Sequence, residues 1–321
     1  PYLFIEIDRK RREAIAAGKD VINLGVGDPD RPTPDFIIRK MQEAMADAKN
    51  HRYPFDEGVP EFRQTVVEWF QKRFGVSLDW QTESITLIGS KEGIGHFPVA
   101  VVNPSDVVLV PQPGYPVYQA STILCGGSPF IMDLKEENGW LPDLDAIPAD
   151  IARRASLMFL NYPNNPTSAV APRAFYEKAV AFAKKYNIFI AQDTAYSEMY
   201  FDAKPMSILE IPGAKDVAIE FHSLSKTFNM TGWRLGFAVG NKDAIAALAK
   251  VKANMDSGQF NAIQWAGVEA IRNIDHPEIV ALRNMYRERR DLLCDALGKI
   301  GLEVRKPQAT FYVWAKCPKG M

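Results

Sequence analysis

A chain of 321 residues is long enough for one large domain or two smaller ones with a substantial core. Apolar residues make up 47% and charged residues 24%, and 38 basic against 39 acidic side chains leave a net charge of −1. That balance argues against nucleic acid or an anionic membrane as the main partner, but it leaves room for a local basic pocket.

Cys125, Cys294 and Cys317 are widely spaced, with no CxxC, and read as reduced, mostly buried thiols of a cytoplasmic protein. His51, His96, His222 and His276 show no ligand spacing, so no metal site is expected. No apolar run approaches the roughly 18 residues of a membrane span, and nothing resembles a signal peptide. The chain starts at Pro1 without an initiator methionine and stops at Met321 just after a strand-like run, as a sequence trimmed at both ends would.

In chain order, Ile5 to Ala17 predicts a charged helix closed by Gly18. Val21 to Leu24 reads as a short apolar strand leading into GVGDPD. Thr33 before Pro34 reads as a helix N-cap, and a turn from Asp56 to Pro60 precedes a helix ending near Gly75. From Ser84 onward, short apolar runs alternate with helical ones. The strands are Ile85–Ile88, Val107–Val110, Pro129–Met132, Leu157–Leu160, Ile188–Ala191, Val217–Phe221 and Leu235–Val239. The helices among them are Glu92–Val102, Tyr115–Leu124 and Pro172–Tyr186. Near-continuous apolar strands alternating with helices predict an α/β fold: a mainly parallel sheet between helices, with ligands bound outside the strands' carboxyl ends. After Gly240 the pattern turns helical (Asp243–Met255, Ile263–Ile274, and Pro277–Ile300 opened by Asp275 and Glu278). Two strand-like pieces follow, Leu302–Arg305 and Thr310–Ala315. This shift predicts a large domain over residues 26–261 and a smaller α+β domain built from 1–25 and 262–321.

The residues that suggest chemistry follow those strands. Lys226 lies among Ser223, Ser225 and Arg234, an amine among phosphate-binding groups, which suggests a lysine forming a Schiff base to a phosphorylated aldehyde. A solvated basic loop is the plainer alternative. Asp193, just after its strand, suits pairing with a protonated ring nitrogen, or capping a helix. Tyr196 and Asn165, the latter in the rigid turn NYPNNPT, offer groups to a ring oxygen, or serve core and turn. Ser90 and Lys91 open a helix as GSKEG, a seat for phosphate. Tyr115 in GYPVY suits stacking on a flat cofactor, or simple turn packing. GVGDPD lacks the third glycine of a dinucleotide fingerprint, and neither GxxxxGK[ST] nor GxSxG occurs.

Taken together, Tyr53 with Gly58, GSKEG, GYPVY, NNPT, DTAY and SLSKTFNMTGWR, in this order, resemble the class I/II pyridoxal-phosphate aminotransferases over nearly the whole chain. Within that family, YLFIEI, GSKEG and GYPVY look like the branch acting on LL-diaminopimelate. The resemblance implies a fold type I enzyme of seven-stranded sheet, a homodimer with shared sites, and a place in lysine biosynthesis. It further implies that Lys226 holds pyridoxal 5'-phosphate and moves the substrate's α-proton, and that Asp193 pairs with the ring nitrogen. Asn165 and Tyr196 would bind the phenolic oxygen, and Tyr115 would stack on the ring. Ser90, Lys91, Ser223, Arg234 and Ser225 would grip the phosphate, joined by Tyr53 from the neighbouring subunit. For substrate it implies Gly27, Asn165, Asn261 and Tyr2. The family's carboxylate-clamping arginine falls beyond Met321, so either the complete chain extends further or this one binds substrate poorly. Other readings are an aspartate, alanine or aromatic aminotransferase, or a carbon–sulfur lyase on the same scaffold. A ligand-sensing domain of a transcription regulator would need a DNA-binding module, and none precedes Pro1.

Overall fold

The structure, a computed structural model, describes residues 3–54 and 57–318. In chain order the elements are α1 (Leu3–Ala16), α2 (Asp35–Ala46), α3 (Pro60–Phe74), β1 (Ser84–Leu87), α4 (Ser90–Val101), β2 (Val107–Gln112), α5 (Val117–Leu124) and β3 (Ser128–Asp133). They continue with α6 (Ala149–Arg154), β4 (Ala155–Asn161), α7 (Arg173–Tyr186), β5 (Phe189–Asp193), β6 (Ala218–Ser223), α8 (Leu224–Thr227) and β7 (Gly236–Gly240). Three helices follow: α9 (Lys242–Met255), α10 (Asn261–Arg272) and α11 (Pro277–Lys299).

The strands form one seven-stranded sheet in the order β1-β7-β6-β5-β4-β2-β3. All neighbours pair parallel except those of β7, which runs antiparallel to both β1 and β6. The reason the strands read as continuous apolar runs is visible in β4. Leu157 and Phe159 enter one core with Val108, Val110 and Phe221, while Met158 and Leu160 enter the other with Leu109 and Ile190. A strand buried on both faces has no polar side to alternate with. Helices α4, α5 and α9 cover the first face, and α3, α7 and α10 the second.

All seven expected strands are present, shifted by a residue or two at their ends. Five local expectations are corrected. The thiols are not mostly buried: Cys125 and Cys294 are half-buried and Cys317 is exposed. Val21–Leu24 forms no strand: Ile22 and Leu24 stand about four-fifths exposed, and no other described strand lies beside them to complete a ladder. The backbone turns on itself instead, Gly25 N–H donating to Asn23 Oδ1 at 3.0 Å. Thr33 does not cap α2. Its hydroxyl donates to the Asn229 carbonyl at 2.8 Å, and Pro34 holds the cap position. His276, not Asp275, caps α11, its ring accepting from Glu278 N–H. Leu302–Arg305 and Thr310–Ala315 form no strand and share only the isolated bridge Val304 to Ala315; a second isolated bridge, Tyr200 to Ala309, falls just before the latter piece.

Candidate active site

The sheet's direction brings the sequence-distant motifs to one edge. Six strands point their carboxyl ends there, and β7, being reversed, contributes its start. Across that edge Asn161 is in register with Asp193, Asp193 with Phe221, and Ser223 with Gly236, which also pairs with Leu87. Ser90, Tyr115, Asn165, Asp193 and Ser223 therefore follow strands into the site, while Arg234 precedes one.

Lys226 sits in α8, one short turn after β6. Its Nζ donates to the Gly27 carbonyl at 2.7 Å and lies 5.8 Å over the Phe311 ring. Burial lowers the ammonium's pKa and nearby Arg234 lowers it further, against the opposing pull of Asp28. Gly27 has no room for a side chain: a Cβ there would lie 2.3 Å from the Tyr312 hydroxyl. That hydroxyl shares a 2.7 Å hydrogen bond with Tyr196, which is buried. Lys226, Gly27, Tyr312 and Tyr196 thus form one connected wall.

Asp193 is the last residue of β5 and is 5% exposed. Its Oδ2 accepts from the Tyr118 hydroxyl at 2.7 Å and its Oδ1 from Ala195 N–H at 3.2 Å. The Asp193 carbonyl accepts from Asn161 Nδ2 at 3.0 Å, and Asn161 Oδ1 accepts from Asn165 N–H at 2.7 Å. One asparagine therefore ties the NYPNNPT turn to the aspartate.

Arg234 closes over the start of α4. A Cβ on Gly89 would sit 2.2 Å from its Nη2, so only glycine lets the guanidinium come so near the helix N-terminus. At Gly236 a Cβ would meet Ser90 N at 2.7 Å, so the start of β7 presses on the same turn. Ser223 caps α8, its hydroxyl accepting from Ser225 N–H, and Ser225 Oγ accepts from Arg234 Nη1 at 3.5 Å. The N-terminus of a twelve-residue helix, two hydroxyls and a guanidinium are thus linked into one neighbourhood, the kind of donor set that suits a phosphate dianion. Glu92, in the same first turn, is neutralised by the buried Lys252 ammonium at 2.9 Å, which also meets Asp256 at 3.2 Å.

The remaining candidates are less central. Lys91 is exposed, with its Nζ 5.9 Å over the Tyr115 ring. Asn261 opens α10, and its buried Oδ1 has no hydrogen-bond partner. It lies two residues from Gln259, whose amide binds the Arg234 carbonyl. Tyr53 is 90% exposed and is not gathered into the cluster of its own chain. Tyr2 lies outside the described residues. Tyr118, Tyr312 and Asn161 belong to the network but were not among the sequence candidates. Tyr118 had a signal, being the second tyrosine of GYPVY and one helical turn past Tyr115; Tyr312 had none.

The donor set fits pyridoxal phosphate: an anion cradle, a buried carboxylate for a ring nitrogen, and a half-buried amine for an aldehyde. A class I and II aminotransferase family model matches residues 19–320. The chain belongs to the class I and II aminotransferases. It is 57% identical over its whole length to an LL-diaminopimelate aminotransferase of Aquifex aeolicus, covering 83% of that protein. It is 58% identical to one from Nitratidesulfovibrio vulgaris, covering 82%. Among solved structures, substrate-bound BacF from Bacillus subtilis superposes with a TM-score of 0.96 at 39% identity, over all of this chain and 81% of that one. A probable N-succinyldiaminopimelate aminotransferase from Thermus thermophilus gives 0.93 at 34%, over 99% and 85%. The chain is accordingly a pyridoxal-phosphate-dependent transaminase of fold type I.

Burial pushes the Asp193 carboxyl from 3.8 up to about 6, against the lowering effect of the Tyr118 hydrogen bond. In the cofactor-free protein, a folded value above the unfolded one gives stability that is full below pH 3.8 and is lost as pH rises through 6. Near pH 7 the loss is about 3 kcal/mol. Chemical denaturation of cofactor-free wild type and Asp193→Asn from pH 4 to pH 7 reads this directly. The wild type is expected to lose stability relative to the variant as pH rises. A difference that stays flat across that range contradicts the buried, ionisable carboxylate.

Proposed function

We propose that the chain moves the α-amino group of LL-2,6-diaminopimelate to 2-oxoglutarate, with Lys226 as the residue that carries the cofactor and the proton. Identity of 53–58% over the whole of this chain to relatives named LL-diaminopimelate aminotransferase carries the choice of substrate. The bound cofactor supplies an aldehyde and a ring that accepts the electron pair left at the substrate's α-carbon. Arg234, Ser223, Ser225 and the α4 start, with Ser90 and Lys91, hold its phosphate. Asp193 holds its ring nitrogen charged, Asn165 and Tyr196 bind its phenolic oxygen, and Tyr115 packs on its ring. Lys226 Nζ takes the α-proton from the substrate and delivers it two atoms away, on the far side of the transferred nitrogen, which requires a neutral amine. Burial and Arg234 favour that form. Gly27 and Asn261 face the substrate.

In this reading residues 26–261 form the cofactor-binding domain, and 1–25 with 262–321 the smaller one. Two copies pair in the cytoplasm, so that Tyr53, solvent-facing in a single chain, reaches the neighbour's phosphate seat. Among the described residues no helix is long and apolar enough to cross a membrane.

The test is an amino-donor panel with 2-oxoglutarate. LL-diaminopimelate is expected to exceed aspartate, alanine and phenylalanine in kcat/KM by at least about tenfold, roughly the value of one polar recognition contact. Equal rates with aspartate move the chain to a broader aminotransferase. Pyruvate and ammonia released from a sulfur amino acid without any keto acid move it to a carbon–sulfur lyase.

A further inference from the structure

Both oxygens of Asp193 accept hydrogen bonds, Oδ1 from the Ala195 amide and Oδ2 from the Tyr118 hydroxyl, and Tyr118 is itself immobilised. Tyr118 is fully buried, its ring stacked on Phe159 at 4.9 Å and 21° and met edge-on by Tyr115 at 5.9 Å. Its backbone lies in the first turn of α5, and its carbonyl accepts from Thr122 Oγ1 at 2.7 Å. The phenol therefore has no alternative direction, and its O–H donates to Asp193 Oδ2 at 2.7 Å. A hydroxyl donating to a buried carboxylate stabilises the anion and not the acid.

We propose that Tyr118 is a positioning residue for the reaction, fixing the Asp193 carboxylate and keeping it in the anionic form that the cofactor's ring nitrogen needs. The inference rests on the cofactor reading above and extends it to a residue outside the cradle. No proton is transferred: Tyr118 keeps its own, and burial beside the carboxylate drives its pKa far above 10, so it remains a donor throughout the working range. A histidine in the same place would change charge near neutrality, whereas a phenol does not. The other groups that bear on Asp193 are His222 on β6, itself 3.0 Å from Glu220, and Tyr196 and Tyr312, paired with each other. Of these, Tyr118 alone donates a side-chain hydrogen bond to the carboxylate.

The experiment measures pyridoxal phosphate affinity against pH in wild type, Tyr118→Phe, Asp193→Asn and the double variant. Phenylalanine keeps the ring packing on Phe159 and removes only the donor. In the wild type, affinity is expected to fall as Asp193 becomes protonated. The cofactor's own phosphate titrates in every variant, so the readout is the difference between profiles. Tyr118→Phe is expected to weaken binding about tenfold at pH 7 and to move the Asp193-dependent fall upward by about one pH unit. In the Asp193→Asn background the same substitution is expected to change affinity less than twofold, because its effect passes through the carboxylate. A Tyr118→Phe profile matching the wild type overturns the proposal, and so does an equal loss in both backgrounds, which is the mark of lost packing. If Tyr118→Phe does not fold, 3-fluorotyrosine at position 118, a stronger donor of nearly the same shape, replaces it. It is expected to move the fall to lower pH, and no movement overturns the proposal. Failure of the cofactor reading itself looks different, since wild type would then bind no pyridoxal phosphate at any pH.

Discussion

Lys226→Ala is expected to eliminate transamination, and Lys226→Arg to do the same while keeping the positive charge. Both outcomes follow from the amine's surroundings. Its Nζ donates to the Gly27 carbonyl at 2.7 Å, and burial and Arg234 both depress its pKa. A lysine in that state reaches the neutral form needed to attack an aldehyde and later to accept a proton from carbon. Removing a positioned general base alone costs about 10²–10⁴ in rate, and losing the covalent anchor adds to that. Arginine stays protonated and supplies neither function. Single-turnover rates with a saturating amino donor are the measurement, and activity within about tenfold of wild type in either variant would remove Lys226 from the chemistry.

Arg234→Ala is expected to have the second-largest effect and to act on binding. The guanidinium lies against Gly89 at the opening of α4 and reaches Ser225 Oγ, with Nη1 also donating to the Thr231 carbonyl at 2.8 Å. Removing one partner of a charge-assisted, partly buried contact costs about 2–5 kcal/mol, a weakening of cofactor binding by roughly 30-fold or more. Arg234→Lys restores charge but not the fork, so intermediate affinity is expected. Titration of the cofactor-free protein by absorbance gives all three constants. An alanine variant that binds as tightly as wild type places the phosphate elsewhere.

Legibility in the sequence followed the physics of burial. Central strands such as β4 were readable because both their faces are buried, so they run as apolar stretches between turn residues; edge strand β3 is half-exposed, and Glu220 and His222 interrupt β6. The strands' last positions were harder, because Asn161, Asp193 and Ser223 are polar yet continue the ladder into the site. Val21–Leu24 had the right composition and failed as a strand, since pairing depends on a neighbour that composition does not reveal. The isolated bridge Val304 to Ala315 makes the same point about the strand-like pieces after α11. Within the site, Lys226, Asp193, Ser223 and Arg234 were readable because they follow or precede strands that share an edge. Arg234 meets the others only because β7 is reversed, and local sequence does not state strand direction. Tyr312 was invisible because its role comes from a contact with Tyr196 across 116 positions. Tyr118 was readable in principle, but tyrosines at helical spacing more often serve a core, and this one serves both.

The most direct measurement is chemical trapping. Protein loaded with pyridoxal phosphate is reduced with borohydride, digested, and mapped by mass spectrometry for the lysine that carries the pyridoxyl group. The expected result is stoichiometric label on the peptide containing Lys226, absent when that residue is alanine. Label on a different lysine, or none on a protein that transaminates, contradicts the assignment.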